Sequence, residues 1–249
     1  MSWIRHPVIR KVLITMLLVG VGYGIVRFSS IQRISAAWTP SGQFALGITS
    51  TGAAAADISA AVITIHRIEL RTASGDRVPL MTNPRTFNLA SLKSGAESTN
   101  LAIGDIPADR YEELRILTDH IGIVTLKRGI ATEAKIPASE IIIQSPFIVA
   151  PGKTIAFQLN FMLGQSLHTT KKGWYVFAPV IRVNEYAGAT VHALPTNSLV
   201  INGGTLHAWT MGMNLHGQMQ DNFALPATIS LEFDHGAIRT QSAAQSYHR

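Results

Sequence analysis

The sequence predicts an all-β protein, an antiparallel β-sandwich (Ig-like/transthyretin-like) preceded by one N-terminal transmembrane or signal helix. Three observations carry this expectation. Apolar residues recur with period two through most of residues 42–184, the spacing of strands with one buried face. Turn formers cut that region into short runs, at Ser74-Gly75-Asp76, Lys93-Ser94-Gly95, Ile106-Pro107-Ala108, Pro151-Gly152 and Lys172-Gly173. No long 3.6-residue apolar period occurs outside the N-terminus, and many short strands between turns are the signature of a sandwich.

The N-terminal element is read from residues 12–26, which carry no charge and lie between Lys11 and Arg27. A basic start before an apolar run is the pattern of an export signal. Fifteen helical residues rise about 22 Å, short of the roughly 30 Å hydrocarbon core, but flanking Lys11 and Arg27 can snorkel. Ser35-Ala36-Ala37 offers small residues for cleavage, yet Arg27 and Arg33 separate it from the apolar run. An uncleaved signal-anchor over 1–37 is therefore preferred. It places the chain in the inner (cytoplasmic) membrane, single-pass, with the C-terminal domain periplasmic or extracellular. Gly20 and Gly24 form a small-xxx-small pair that could join two such helices, although glycine is common in membrane segments.

The strands follow in order. Thr154–Leu163 is the cleanest, with Ile155, Phe157, Leu159, Phe161 and Leu163 on one face. Within Ala61–Arg71, Ile63 and Ile65 share one phase and Ile68 and Leu70 the other, which a β-bulge near His66–Arg67 reconciles. Phe44–Thr49, Thr86–Leu89, Arg110–Thr118, Ile121–Lys127, Ala131–Ile136 and Trp174–Val183 are further strands, and Gly52–Asp57 is a loop. Beyond a β-sandwich domain at 42–184, residues 185–249 form a C-terminal β-hairpin extension. Its strands are Leu199–Asn202, Leu206–Met213 and Thr228–Asp234, and Asn202-Gly203-Gly204 signals a hairpin between the first two. The tail from Thr240 to Arg249 is polar and expected to fray.

A set of ordered motifs resembles a known family. Phe87-Asn88-Leu89-Ala90-Ser91-Leu92-Lys93-Ser94-Gly95 precedes Ile106-Pro107-Ala108-Asp109-Arg110-Tyr111, which leads into Leu114-Arg115-Ile116. Pro146-Phe147-Ile148-Val149, Pro151-Gly152, Leu159-Asn160-Phe161, Ser166-Leu167-His168 and Ala178-Pro179-Val180-Ile181-Arg182-Val183 follow. Together, over about 42–184, these resemble a bacterial envelope family known as domain of unknown function number 4382. The resemblance implies an exported β-sandwich, often tethered through a lipidated cysteine; this chain has no cysteine, so an apolar helix takes that place. Asp109 stands where the family pattern has glycine, and Asn160 where it tends to have aspartate. The motif residues also have a plain structural reading: Tyr111 covers the sandwich end and bonds backbone, and Arg115 and Arg182 are strand charges with carboxylate partners such as Glu113 or Glu185.

Composition bounds the function. The 249 residues are 47% hydrophobic and 14% charged with a net charge of +6. Five Lys/Arg and no acid lie within residues 1–37, leaving 16 basic against 15 acidic residues elsewhere, so no nucleic-acid-binding face is expected. The lack of cysteine excludes disulfides, thiolate metal sites and a cysteine nucleophile. No phosphate-binding loop occurs. Gly164-Gln165-Ser166-Leu167-His168 resembles a nucleophile elbow with His at the final glycine, and Asp119-His120 could orient an imidazole near Ser166. Nothing in the sequence fixes that geometry, so a non-enzyme without cofactor is expected. The metal candidates are Met211, Met213 and His216, within a stretch that also holds Trp209 and Met219. Thioether and imidazole ligands suit Cu(I), whereas as one strand His207, Trp209, Met211 and Met213 make an ordinary inward face. The expected function is a membrane-anchored extracytoplasmic binding or structural module of the envelope. Its partners would be the membrane and an envelope protein or polysaccharide, with Trp174 and Tyr175 as a possible aromatic platform.

Overall fold

A computed structural model describes residues 40–51, 58–92, 95, 97–119, 121–126, 129–170, 173–225, 230–234 and 237–241. The apolar segment 12–26, the loop at Gly52–Asp57 and the tail beyond Gln241 lie outside these residues. Among the described residues no helix is long and apolar enough to cross a membrane. The chain divides after Pro40, and Ser41–Arg249 forms the unit described here.

That unit is all-β. Its strands are β1 (Ser41–Thr51), β2 (Ile58–Thr72), β3 (Arg77–Met81), β4 (Arg85–Asn88), β5 (Glu97–Pro107), β6 (Arg110–Thr118), β7 (Ile121–Leu126), β8 (Ala131–Lys135), β9 (Glu140–Ile148) and β10 (Thr154–Met162). They continue as β11 (Leu167–Thr169), β12 (Tyr175–Phe177), β13 (Val180–Ala187), β14 (Thr190–Ala193), β15 (Ser198–Asn202), β16 (Thr205–Met213), β17 (Met219–Asp221), β18 (Ser230–Asp234) and β19 (Ala237–Gln241). The first sheet runs β14-β15-β5-β1-β10-β13-β16-β17. The second runs β11-β12-β8-β7-β2-β6-β9, with β3 and β4 paired to β2; β18 and β19 form a separate pair.

The two sheets share one core. Phe44 and Phe157 of the first sheet meet Phe147 of the second at ring-centroid distances of 6.1 and 5.0 Å, and Tyr111 stacks on Phe147 at 5.4 Å. Ile155, Phe157, Leu159 and Phe161 are each at most 4% exposed, as their alternation predicts. The expected bulge is present: Ile65 opposes Thr118 and Arg67 opposes Leu117, leaving His66 as the extra residue. It lets Ile63, Ile65, Ile68 and Leu70 all face inward despite their change of phase. The Tyr111 hydroxyl donates to the Pro107 carbonyl at 2.8 Å. Burial and the Asp109 carboxylate push that phenol up to about 12.

Three expectations need correction. The sheets are mixed, because β1 pairs β10 and β8 pairs β12 in parallel. A hairpin cannot join parallel neighbours; β1 and β10 are linked by a path through the second sheet. Trp174–Val183 is two strands: β12 belongs to the second sheet and β13 to the first. The chain changes sheet at Ala178-Pro179, where proline offers no amide to a ladder. Strands β3, β5 and β9 carry weak alternation. In β9 the run Ile141-Ile142-Ile143 and the internal Pro146 hide the period.

Finally, Asn202-Gly203-Gly204 does not close a β15–β16 hairpin. β13 and β16 pair with each other, and the β14–β15 hairpin is inserted at their tip. It reaches β5, and Leu199 and Ala189 pack on Ala45 and Ala156. Those are the outward residues of β1 and β10, and their small size makes room for the hairpin. Gly204 permits the turn: its φ is +81° and a Cβ would lie 2.9 Å from the Ala187 carbonyl oxygen. Residues 185–249 therefore contribute to both ends of the first sheet.

Candidate functional site

The sheets do not end together. The second sheet stops at β9, while the first continues through β13, β16 and β17. The inward row Phe157–Glu185–His207 lies across β10, β13 and β16, followed by Leu159–Val183–Trp209 and Phe161–Ile181–Met211. Going outward along the first row, the core gives way to solvent. Phe157 is buried, the Glu185 side chain is 15% exposed and His207 is 74% exposed.

Glu185 thus occupies an inward position at an open edge. Its carboxylate accepts one long hydrogen bond, 3.4 Å from the Ser145 hydroxyl of β9, and lies 4.0 Å from His207 Nδ1. Burial pushes Glu185 above its ordinary value of 4.5, and the nearby imidazole and hydroxyl only partly oppose this. The His207 ring lies 4.8 Å from the half-buried Trp209 indole.

Met211, the next inward residue after Trp209 on β16, reaches a cleft of about 430 Å³ lined also by Glu112, Glu113, Gln144, Pro146, Met219 and Asp221; Glu185, His207 and Trp209 stand outside that lining. Two of its carboxylates are already paired. Glu113 accepts from Arg71 at 3.1 Å and lies 4.0 Å from Arg115, and Glu112 meets Arg110 at 2.8 Å. Arg115 also donates to Glu140 at 2.8 Å, the main reason its guanidinium is pushed up against the effect of burial. The Asp221 carboxylate has no hydrogen-bond or ion-pair partner among the described residues, although its backbone pairs with Met211. Behind the cleft, the buried Glu69 is compensated by Arg77 at 3.0 Å and Arg67 at 3.8 Å, as a carboxylate removed from water requires.

The three metal candidates have different surroundings. Met211 is 3% exposed and reaches the cleft wall, and Met213 is 1% exposed within the core. His216 sits exposed on the turn after β16, where its backbone amide donates to Asn214 Oδ1. Alternation explains it: Met213 ends an inward face, and the chain turns before His216. No group of three or more His, Asp or Glu suited to a metal occurs among the described residues. Ser166 is fully buried; its hydroxyl donates to the Met162 carbonyl and accepts from the Val180 amide. It serves the chain's passage between sheets and is closed to a substrate. Asp119 pairs with His66 at 2.7 Å, and His120 lies outside the described residues. His168 is half-buried with an unpartnered Nε2, and burial lowers its pKa. Trp174 is 53% exposed, while Tyr175 packs against the core. Arg182 is exposed on the outward face of β13, away from Glu185.

Sequence reasoning missed Glu185, Glu112, Gln144 and Asp221 as site residues. One signal for Glu185 was available: it shares the phase of Ile181 and Val183, so a carboxylate occupies a core-facing position. The cleft itself depends on β9, a strand that alternation does not reveal.

No curated protein and no solved structure matches the chain. Residues 41–179, more than half of the chain and nearly the span over which its motifs show the resemblance, match the family described as Domain of unknown function (DUF4382), and the chain belongs to that family.

Proposed function

We propose that this protein is a membrane-anchored extracytoplasmic β-sandwich that works as a non-catalytic binding module of the cell envelope. The immunoglobulin-like or transthyretin-like class belongs to the same reading. The cleft between β9 and β17, lined by residues of β6, β9, β16 and β17, carries the binding role, because it is a concave, side-chain-lined edge of the sandwich. The uncharged run at 12–26 between basic residues supports the anchor and the exported side.

Spheroplasts expressing the full chain test the location. The expected outcome is digestion by added protease without lysis, with an N-terminally tagged fragment staying in the membrane after carbonate washing. Protection until the cells are broken, or release of the intact chain into the soluble fraction, defeats the anchored, exported reading.

A further inference from the structure

We propose that the open edge around Glu185, His207 and Trp209 is a binding site for a neutral glycan. This rests on the binding-module reading and names its ligand class.

The chemistry of the edge selects the ligand. An ionised carboxylate has about four acceptor positions, and Glu185 fills one with a 3.4 Å contact. A mostly buried carboxylate left in that state calls for added hydrogen-bond donors. Two strand positions from His207 on the same face, the Trp209 indole packs on the core with the His207 ring 4.8 Å away and leaves part of its apolar surface exposed. The Ser145 hydroxyl of β9 also lies at the Glu185 carboxylate.

Other ligand classes fit less well. A cation would meet the single carboxylate of Glu185 with the His207 imidazole already 4.0 Å from it. A wholly apolar segment would bury Glu185 and His207 without new partners, which costs free energy at each group. A sugar ring meets both demands, with an apolar C–H face for the indole and hydroxyls that donate to carboxylates and amides without carrying charge.

Calorimetric titration of the detergent-purified full chain with cellohexaose, chitohexaose and maltohexaose tests this. At least one is expected to bind in the micromolar to millimolar range. Glu185→Ala and His207→Ala should each weaken that binding, the first by roughly tenfold or more because it removes a charged acceptor. The exposed His207 can be removed without disturbing the core, and Trp209→Phe gives a second variant in which the ring surface shrinks and the packing is largely kept. Trp174→Ala should leave binding unchanged. The proposal is overturned if no glycan binds at millimolar concentration, if binding survives both Glu185→Ala and His207→Ala, or if Trp174→Ala abolishes it. Hexalysine binding in place of the glycans overturns the ligand class while sparing the binding module, and the spheroplast result bears on location alone.

Discussion

On β10 the inward residues Ile155, Phe157, Leu159 and Phe161 are each at most 4% exposed, whereas on β16, two strands away in the same sheet, inward exposure runs from 74% at His207 to 1% at Met213. Both strands alternate, and both present one face to the interior. They differ in what lies opposite. β10 is in the middle of its sheet, with Phe147 of the second sheet against Phe157. β16 lies near the sheet edge and is covered only in part: its Met211–Met213 end, where β17 pairs and comes against β9, is buried, while its His207 end is open. An inward-facing position is therefore a buried one only where a second layer exists to cover it. At the open end, polar groups such as Glu185 are tolerated because water and neighbouring strands share their solvation.

Substitutions can break this contrast at its strong end first. Phe157→Ala should lower stability by about 3–5 kcal/mol, through lost burial and the cavity left between the sheets, measured as a shift in the urea midpoint. At the tip of β13 and β16, Gly204→Val should cost about 1–3 kcal/mol, because a Cβ meets the Ala187 carbonyl at a left-handed backbone; its melting temperature reads this. Tyr111→Phe should cost about 1 kcal/mol by removing the hydrogen bond to Pro107, and ultraviolet titration should lose the tyrosine that ionises near 12.

Glu185 sharpens the contrast by sign. Burial raises its pKa, so the native state holds this proton more tightly than the unfolded chain. Its contribution to stability is greatest below the ordinary value of 4.5 and falls as pH rises through the native value. Denaturation curves should show Glu185→Gln gaining on the native protein between acidic and neutral pH; a constant difference would remove the buried-carboxylate account. The smallest effect belongs to His207→Ala, expected within about 0.5 kcal/mol of the native protein because its ring is mostly in water.

The family match ends at Pro179, and the candidate cleft straddles that point. Glu112, Glu113, Gln144 and Pro146 come from the matched span. Met211, Met219 and Asp221 come from strands that follow it. The appended strands do more than lengthen the sheet: they supply one wall of the cleft, while the inserted β14–β15 hairpin covers Ala45 and Ala156 on the opposite face.

Alternation and punctuation in the sequence determined most of the strands, the bulge at His66, the buried face of β10 and the backbone bond of Tyr111. These are local: a side chain's face and a turn's conformation depend on neighbours within a few residues. Tertiary structure alone decided the parallel pairing of β1 with β10, the insertion of β14 and β15, the burial of Ser166, and the contrast between a buried Met213 and an exposed His216. It also decided where the second sheet ends, and hence that Glu185 and Trp209 share an open edge. Each of these depends on which strand lies beside or across from another, and period two in a chain specifies a face without specifying what will cover it.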